Sequence, residues 1–263
     1  MYSLPEVFVI GRRLAAVAVV LVASSICIRY AAMAQEHSAH EWGYSGSEGP
    51  AHWGDLGPEF ATCKTGHSQS PVNIVGAQSA VLPAIQFEYK TSALHIVNNG
   101  HTIEIDYAPG SFIRVGGMRY ELKQFHFHHP SEETIKGKRF PIELHLVHSD
   151  ANGNFAVVSV LLEEGPANPL VETLWGHAPK TPGPEKADDD LQINVADLLP
   201  ADHRYFTFAG SLTTPPCTED VSWFVLKTPV TISKKQVATF AAIYPYDERP
   251  TQSVNGRKVL ASK

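Results

Sequence analysis

Two short runs in this 263-residue chain carry residue types that can do chemistry: Gln124-Phe125-His126-Phe127-His128-His129-Pro130 and Glu143-Leu144-His145-Leu146-Val147-His148. In an extended strand side chains alternate faces, so His126 and His128 point to one side while Phe125, Phe127 and His129 point to the other. Pro130 and Gly137 interrupt the first run, and Arg139 to His148 reads as a second strand. Antiparallel pairing of the two strands brings His145 opposite the first two histidines. Three neutral imidazoles on rigid strands, with no fourth protein ligand nearby, form the donor set of a catalytic zinc (Zn2+) site that keeps one position open for water. Gln124 shares a face with His126 and Glu143 shares one with His145, so each can accept the other ring N–H of its neighbour and fix the tautomer. Val147, on the same face, supplies an apolar wall. His129 and His148 fall on the opposite face and read as ordinary polar residues.

The stretch Ser131 to Val147, S-E-E-T-I-K-G-K-R-F-P-I-E-L-H-L-V, resembles the signature of the α-class carbonic anhydrases, and Q-F-H-F-H before it matches that family's other two zinc ligands. The resemblance extends over nearly everything after residue 40. It implies one mainly β domain, with few short helices and a large twisted, mostly antiparallel sheet holding the metal at the bottom of a conical cleft. It also implies zinc-dependent, reversible hydration of carbon dioxide to bicarbonate and a proton. Three neutral ligands leave the zinc charge undiminished, which lowers the pKa of bound water to about 7 and makes hydroxide available at neutral pH. By the same resemblance Thr213 is the hydroxyl that aims this hydroxide and Glu132 the carboxylate that takes the hydrogen of Thr213. Thr214 lies beside the substrate, and Val147, Val157, Leu212, Val221 and Trp223 form the apolar half of its site. His101, in Asn98-Asn99-Gly100-His101, matches the proton shuttle, a task suited to a side chain that titrates near neutral pH. Ser70-Pro71 and Pro215-Pro216 match positions that are cis in the family.

Two departures stand out. Glu133 replaces the His or Asn usual after Ser131-Glu132, placing an extra acid near Glu132 and Glu143, and Asp247 stands where Asn is more usual before Arg249-Pro250-Thr251-Gln252.

The elements that must position these residues are mostly strands. Leu94 to Tyr107 reads as strand, Asn-Asn-Gly turn and strand, with His101 opening the second strand. Phe112 to Val115 and Met118 to His129 flank a Gly116-Gly117 hairpin, and Phe155 to Leu162 is a buried central strand. Tyr205 to Phe208 and Val221 to Lys227 are further strands. Asn168 to Trp175 and the stretch from Ser233 to Ile243 have helical spacing after capping residues. Lys180 to Asp190, dominated by Pro, Gly and acid, reads as loop. His40 to Glu59 is too rich in Gly and Pro for regular structure, but Trp42, Tyr44 and Trp53 are large enough to pin it to a core.

Residues 1–34 differ in kind. Arg12 and Arg13 precede an apolar run from Leu14 to Ile28, and Ala32-Met33-Ala34 offers a cleavage site, so this segment reads as a secretory signal peptide, leaving 35–263 as the carbonic anhydrase domain. Once the signal is cleaved no stable membrane span is expected, and the location is periplasmic or secreted. Residues 35–263 carry 18 basic and 26 acidic residues, a net charge of −8 with no basic run, which argues against nucleic acid as a partner. Of three cysteines, Cys63 and Cys217 remain, and an exported protein with one even pair invites a disulfide. The expected partner is the small-molecule pair carbon dioxide and bicarbonate, and both a monomer and a homodimer are compatible with the sequence. Two rival readings are a non-catalytic zinc-binding or interaction module on the same fold and a metal-carrying protein. The first would be expected to lose ligands that are all present here. The second usually draws on loop histidines, without a Gln and Glu shell.

Overall fold

A computed structural model describes residues 41–263; the expected signal peptide lies outside them. One sheet of 13 strands dominates. Its main path runs Lys186–Ile193, Ser92–Asn98, Ile103–Asp106, Met118–His128, Ile142–Ser149, Phe155–Glu164, Val221–Leu226, Tyr205–Gly210, Leu260–Ser262 and Gln78–Ala80. Neighbours are antiparallel except Phe155–Glu164 beside Val221–Leu226 and Leu260–Ser262 beside Gln78–Ala80 on this path. The mainly β, mostly antiparallel architecture expected from the sequence is therefore what forms.

The two sheet faces have different jobs. Ile142, Leu144 and Leu146 alternate with Glu143, His145 and Val147, and all six are buried. The first set joins the main core with Phe125, Phe127, Val158 and Val160. The second set faces the cleft side, where Val147 packs in a smaller cluster with Val157, Val221 and Trp223. Phe125 and Phe127 are fully buried, and burying each side chain is worth roughly 1.5–3 kcal/mol, so the phenylalanines hold the strand whose other face carries His126 and His128.

A bulge aims these histidines. In the pairing of Met118–His128 with Ile142–Ser149, Leu122 lies opposite His148 but Gln124 lies opposite Val147, so Lys123 has no partner. Before the bulge the even-numbered Tyr120 and Leu122 enter the core; after it the odd-numbered Phe125 and Phe127 do. One extra residue thus moves Gln124, His126 and His128 to the cleft face, because a shift of one residue exchanges the faces of a strand.

Both expected helices form. Pro169–His177 is capped by the Asn168 side chain, which accepts from the backbone of Leu170 and Val171. Lys234–Ala241 begins with a capping box between Ser233 and Gln236. Four expectations about local structure are corrected. Lys186–Ile193 is an edge strand, not loop: its backbone pairs with Ser92–Asn98 through a register shift between Asp188 and Gln192, and one-sided edge pairing tolerates acidic side chains that a central strand would not. The strand carrying His145 starts at Ile142, after Pro141, and the strand after the Asn-Asn-Gly turn starts at Ile103, leaving His101 in the turn. The 40–59 segment contains short helical turns at Gly46–Glu48, Trp53–Leu56 and Pro58–Phe60. Trp53 is fully buried and donates through Nε1 to the carbonyls of Gly43 and Glu48. Among the described residues no helix is long and apolar enough to cross a membrane.

Candidate active site

His126 lies directly opposite His145 in the strand ladder, and His128 follows two residues along on the same face. The ring centroids are 5.0 Å apart for His126 and His128, 5.3 Å for His126 and His145, and 4.6 Å for His128 and His145. One nitrogen from each ring lies within 4.8 Å of the others, close enough to hold one metal ion.

The outer nitrogens are held. His126 Nδ1 donates to Gln124 Oε1 at 2.8 Å and His128 Nδ1 to the Asp247 carbonyl at 2.7 Å. This leaves Nε2 of each ring as the inward, unprotonated atom, and His128 Nε2 is buried with no hydrogen-bond partner, an arrangement that suits a metal ligand. His145 presents Nε2 to Glu143 Oε1 at 3.3 Å. Its Nδ1 lies 3.9 Å from Glu132 Oε2, which is also 3.6 Å from His128 Nε2. Burial, then the neighbouring imidazolium charges, push His126 well below the ordinary histidine range, and burial pushes His128 down to about 3. Both rings are neutral at physiological pH. Burial alone would lower His145 too, but Glu133 and Glu143 more than reverse this and raise it to about 10. Its surroundings therefore favour positive charge at the place where a metal cation would sit.

Glu143 is itself fixed. Its Oε2 accepts from the backbone N–H groups of Glu132 and Glu133 at 2.8 and 2.9 Å, and its Oε1 accepts from the Ser159 hydroxyl. Glu132 is fully buried; Oε1 accepts from the Arg249 backbone N–H at 2.7 Å. Burial raises the Glu132 carboxyl to about 7, against the opposing pull of His145, the Arg249 N–H and the Thr213 hydroxyl.

The cleft beside the histidines is a cavity of about 200 Å³ lined by Gln124, His126, His145, Val147, Phe155, Val157, Leu212, Thr213, Thr214 and Trp223. The expected Thr214 and the apolar residues Val147, Val157, Leu212 and Trp223 are thus brought together, whereas Val221 packs in one cluster with Val147, Val157 and Trp223 without lining the cavity. The loop carrying Thr213 and Thr214 is closed by Leu212 N–H to the Thr218 carbonyl (2.9 Å) and Cys217 N–H to the Thr214 carbonyl (2.8 Å). Cys217 is bonded to Cys63. Gly210 leads into this loop, and only glycine fits there: a Cβ would lie 2.2 Å from Ser70 Oγ and 2.6 Å from the Trp223 ring.

His101 sits in a turn built by Asn99, whose Oδ1 accepts from the backbone N–H groups of His101 and Thr102, both at 2.9 Å. Its ring stacks on Trp42 at 3.7 Å with planes 5° apart. Burial lowers its pKa, while Glu41 opposes the shift.

Sequence reasoning missed four contributors to this site. Phe155 completes the apolar wall. The Asp247 carbonyl orients His128, and the Arg249 N–H holds Glu132; both come from the far end of the chain. Glu104 faces His126 across the ladder, and burial, then Asp106, push it up to about 7. Its signal was present in the alternation of Ile103-Glu104-Ile105-Asp106.

Known proteins are similar to this chain over most of its length. A model of the eukaryotic-type carbonic anhydrases matches residues 48–263. The chain is 45% identical over 236 residues to a carbonic anhydrase of Neisseria gonorrhoeae, covering 89% of this chain and 92% of the relative. It is 42% identical over 224 residues to one of Nostoc sp., covering 83% and 85%. The structure of the α-carbonic anhydrase of Thermovibrio ammonificans in complex with the inhibitor sulfanilamide superposes with a TM-score of 0.82 at 44% identity, covering 85% of this chain and 99% of that one. The chain therefore belongs to the eukaryotic-type, or α-class, carbonic anhydrases, the enzymes whose general activity is the hydration of carbon dioxide.

Proposed function

We propose that this protein hydrates carbon dioxide reversibly with a zinc ion held by His126, His128 and His145. The observation that carries the reading is the convergence of three imidazole nitrogens, those of His128 and His145 on buried rings and that of His126 on a partly buried one, while Gln124, Asp247 and Glu143 occupy or face the outer ones. Zinc bound there would supply the Lewis acidity that makes water a nucleophile at neutral pH. The side chains do the rest. Thr213 gives its hydroxyl hydrogen to Glu132, which leaves the Thr213 oxygen free to accept the hydrogen of the attacking water and fix its lone pair toward carbon. Val147, Val157, Leu212 and Trp223 hold an uncharged substrate without competing polar contacts, and Thr214 faces the oxygens of bicarbonate. His101 takes the proton released in each turnover and passes it to buffer. The disulfide supports an exported, periplasmic or secreted enzyme, because such bonds persist in oxidising compartments; the domain is proposed to span 35–263 after removal of a signal peptide.

The test is zinc content and carbon dioxide hydration of the purified protein, before and after a chelator, beside His145→Ala. One zinc per chain, activity lost with the metal and restored by zinc, and most zinc missing from the variant are expected. Full zinc occupancy in His145→Ala would sink the ligand assignment, and chelator-resistant activity in metal-free protein would sink the zinc mechanism.

A further inference from the structure

Arg249 lies outside the cleft, yet its guanidinium is buried, with the residue 1% exposed. The fork grips one short stretch of chain: Nη1 donates to Gln69 Oε1 and to the Ser70 carbonyl, both at 2.8 Å, and Nη2 donates to the Cys63 carbonyl at 3.0 Å. All three of these acceptors are neutral. The backbone N–H of the same residue donates to Glu132 Oε1 at 2.7 Å. That bond leaves Oε2 as the oxygen turned to the histidines, 3.6 Å from His128 Nε2.

From this geometry we infer that Arg249 is a positioning residue for the reaction: its side chain clamps the 247–249 backbone so that its N–H sets the Glu132 carboxylate for Thr213. The inference rests on the proposed roles of Thr213 and Glu132. A planar fork held at three points fixes a backbone position that a flexible side chain would not. A carboxylate that must receive the Thr213 hydrogen has to stay aimed, and the N–H bond at 2.7 Å holds one of its oxygens in place. Burial lowers the guanidinium to about 10, so it remains charged at neutral pH, and Glu132 is the carboxylate whose charge it feels. The Asp247 carbonyl, two residues earlier, orients His128. A loosened clamp could therefore act through the metal ligand instead, and zinc content separates the two routes.

The experiment is a double-mutant cycle between Arg249→Met and Thr213→Ala, read as carbon dioxide hydration turnover per bound zinc on protein shown to be folded by thermal melting. Misaiming a hydrogen-bonded charged group costs on the order of tenfold in rate. Arg249→Met is expected to keep its zinc and to lose roughly tenfold in turnover when Thr213 is present, but less than about twofold in the Thr213→Ala background, since coupled groups are not additive. A purely structural arginine would give the same factor in both backgrounds. That result, wild-type turnover, or a loss that follows missing zinc would each overturn the inference. If Arg249→Met does not fold, Arg249→Lys runs the same cycle, because it keeps the charge and loses the fork. Thr213→Ala that retains zinc and wild-type turnover would instead remove the Thr213 reading, a failure visible before the arginine is touched.

Discussion

Substituting His148 should flatten the acid side of the protein's stability curve. This imidazole is fully buried on the core face of the strand that carries His145. Its Nδ1 donates to the Ala156 carbonyl at 3.3 Å, its Nε2 accepts from the Tyr89 hydroxyl at 2.9 Å, and among the described residues Tyr89 is the only titratable side chain bonded to it. With no carboxylate to balance a positive charge, burial pushes its pKa down to about 3, against about 6.5 in an unfolded chain. Between these values the unfolded state binds a proton that the folded state refuses. The neutral ring's contribution is therefore fully present above about pH 6.5, falls as pH drops toward 3, and then levels off. Each unit of pH is worth about 1.4 kcal/mol, so by pH 5 the loss is about 2 kcal/mol and its upper limit is about 5 kcal/mol. Urea denaturation of chelated protein at pH 7, 6 and 5, wild type against His148→Gln, measures this without metal release complicating the titration. Glutamine can still accept from Tyr89 but does not titrate. The variant should lose about 2 kcal/mol less than wild type between pH 7 and 5; parallel curves would refute the reasoning.

Two further outcomes follow from the site. His101→Ala should hydrate carbon dioxide slowly in dilute buffer and recover in concentrated imidazole; a dilute-buffer rate equal to wild type would mean that protons leave by another route. Because Cys63 and Cys217 are 154 residues apart, the chain-entropy relation gives their bond about 5 kcal/mol of stabilisation. Cys63→Ala/Cys217→Ala should therefore melt well below the oxidised protein, and an unchanged melting temperature would show that the crosslink constrains little.

How much of this was legible in the chain depends on distance along it. His126, His128 and His145, with Gln124 and Glu143, sit in two local patterns of period two, and alternation alone groups them correctly from Gln124 onward. The bulge at Lys123 was not legible, since Met118 to His128 read as a uniform run continues the wrong phase: Tyr120 and Leu122 in the core would place Gln124 and His126 there too. Only pairing with the neighbouring strand shows where the phase changes. The Asp247 carbonyl and Arg249 N–H were invisible for a different reason. Backbone groups carry no residue identity, so a sequence marks them only through the side chains that fix them, here the arginine fork. The Lys186–Ile193 strand was lost because edge pairing is made by backbone and leaves Asp188, Asp189 and Asp190 free of any apolar pattern.

Glu133 shows how a departure from a family pattern can be absorbed by chemistry and leave the site intact. Three carboxyl groups, on Glu132, Glu133 and Glu143, are fully buried within reach of His145, and three negative charges there would repel one another in a low-dielectric interior. The hydrogen bonds decide which ones ionise. Glu143 accepts from two backbone N–H groups and a hydroxyl, and although burial opposes ionisation, its contacts with His145, Glu133 and Ser159 lower it to about 2. Glu133 has no N–H donor on either oxygen, and burial, followed by the charge on Glu143, pushes it well above the ordinary carboxylate range. Burial and the neighbouring Glu143 charge thus favour its protonated form over the carboxylate. A neutral acid with an O–H beside the Glu143 carboxylate is a hydrogen-bond donor, as the His or Asn usual at this position also is. In its protonated form Glu133 adds no charge beside the three histidines, and Glu143 keeps the negative charge behind His145.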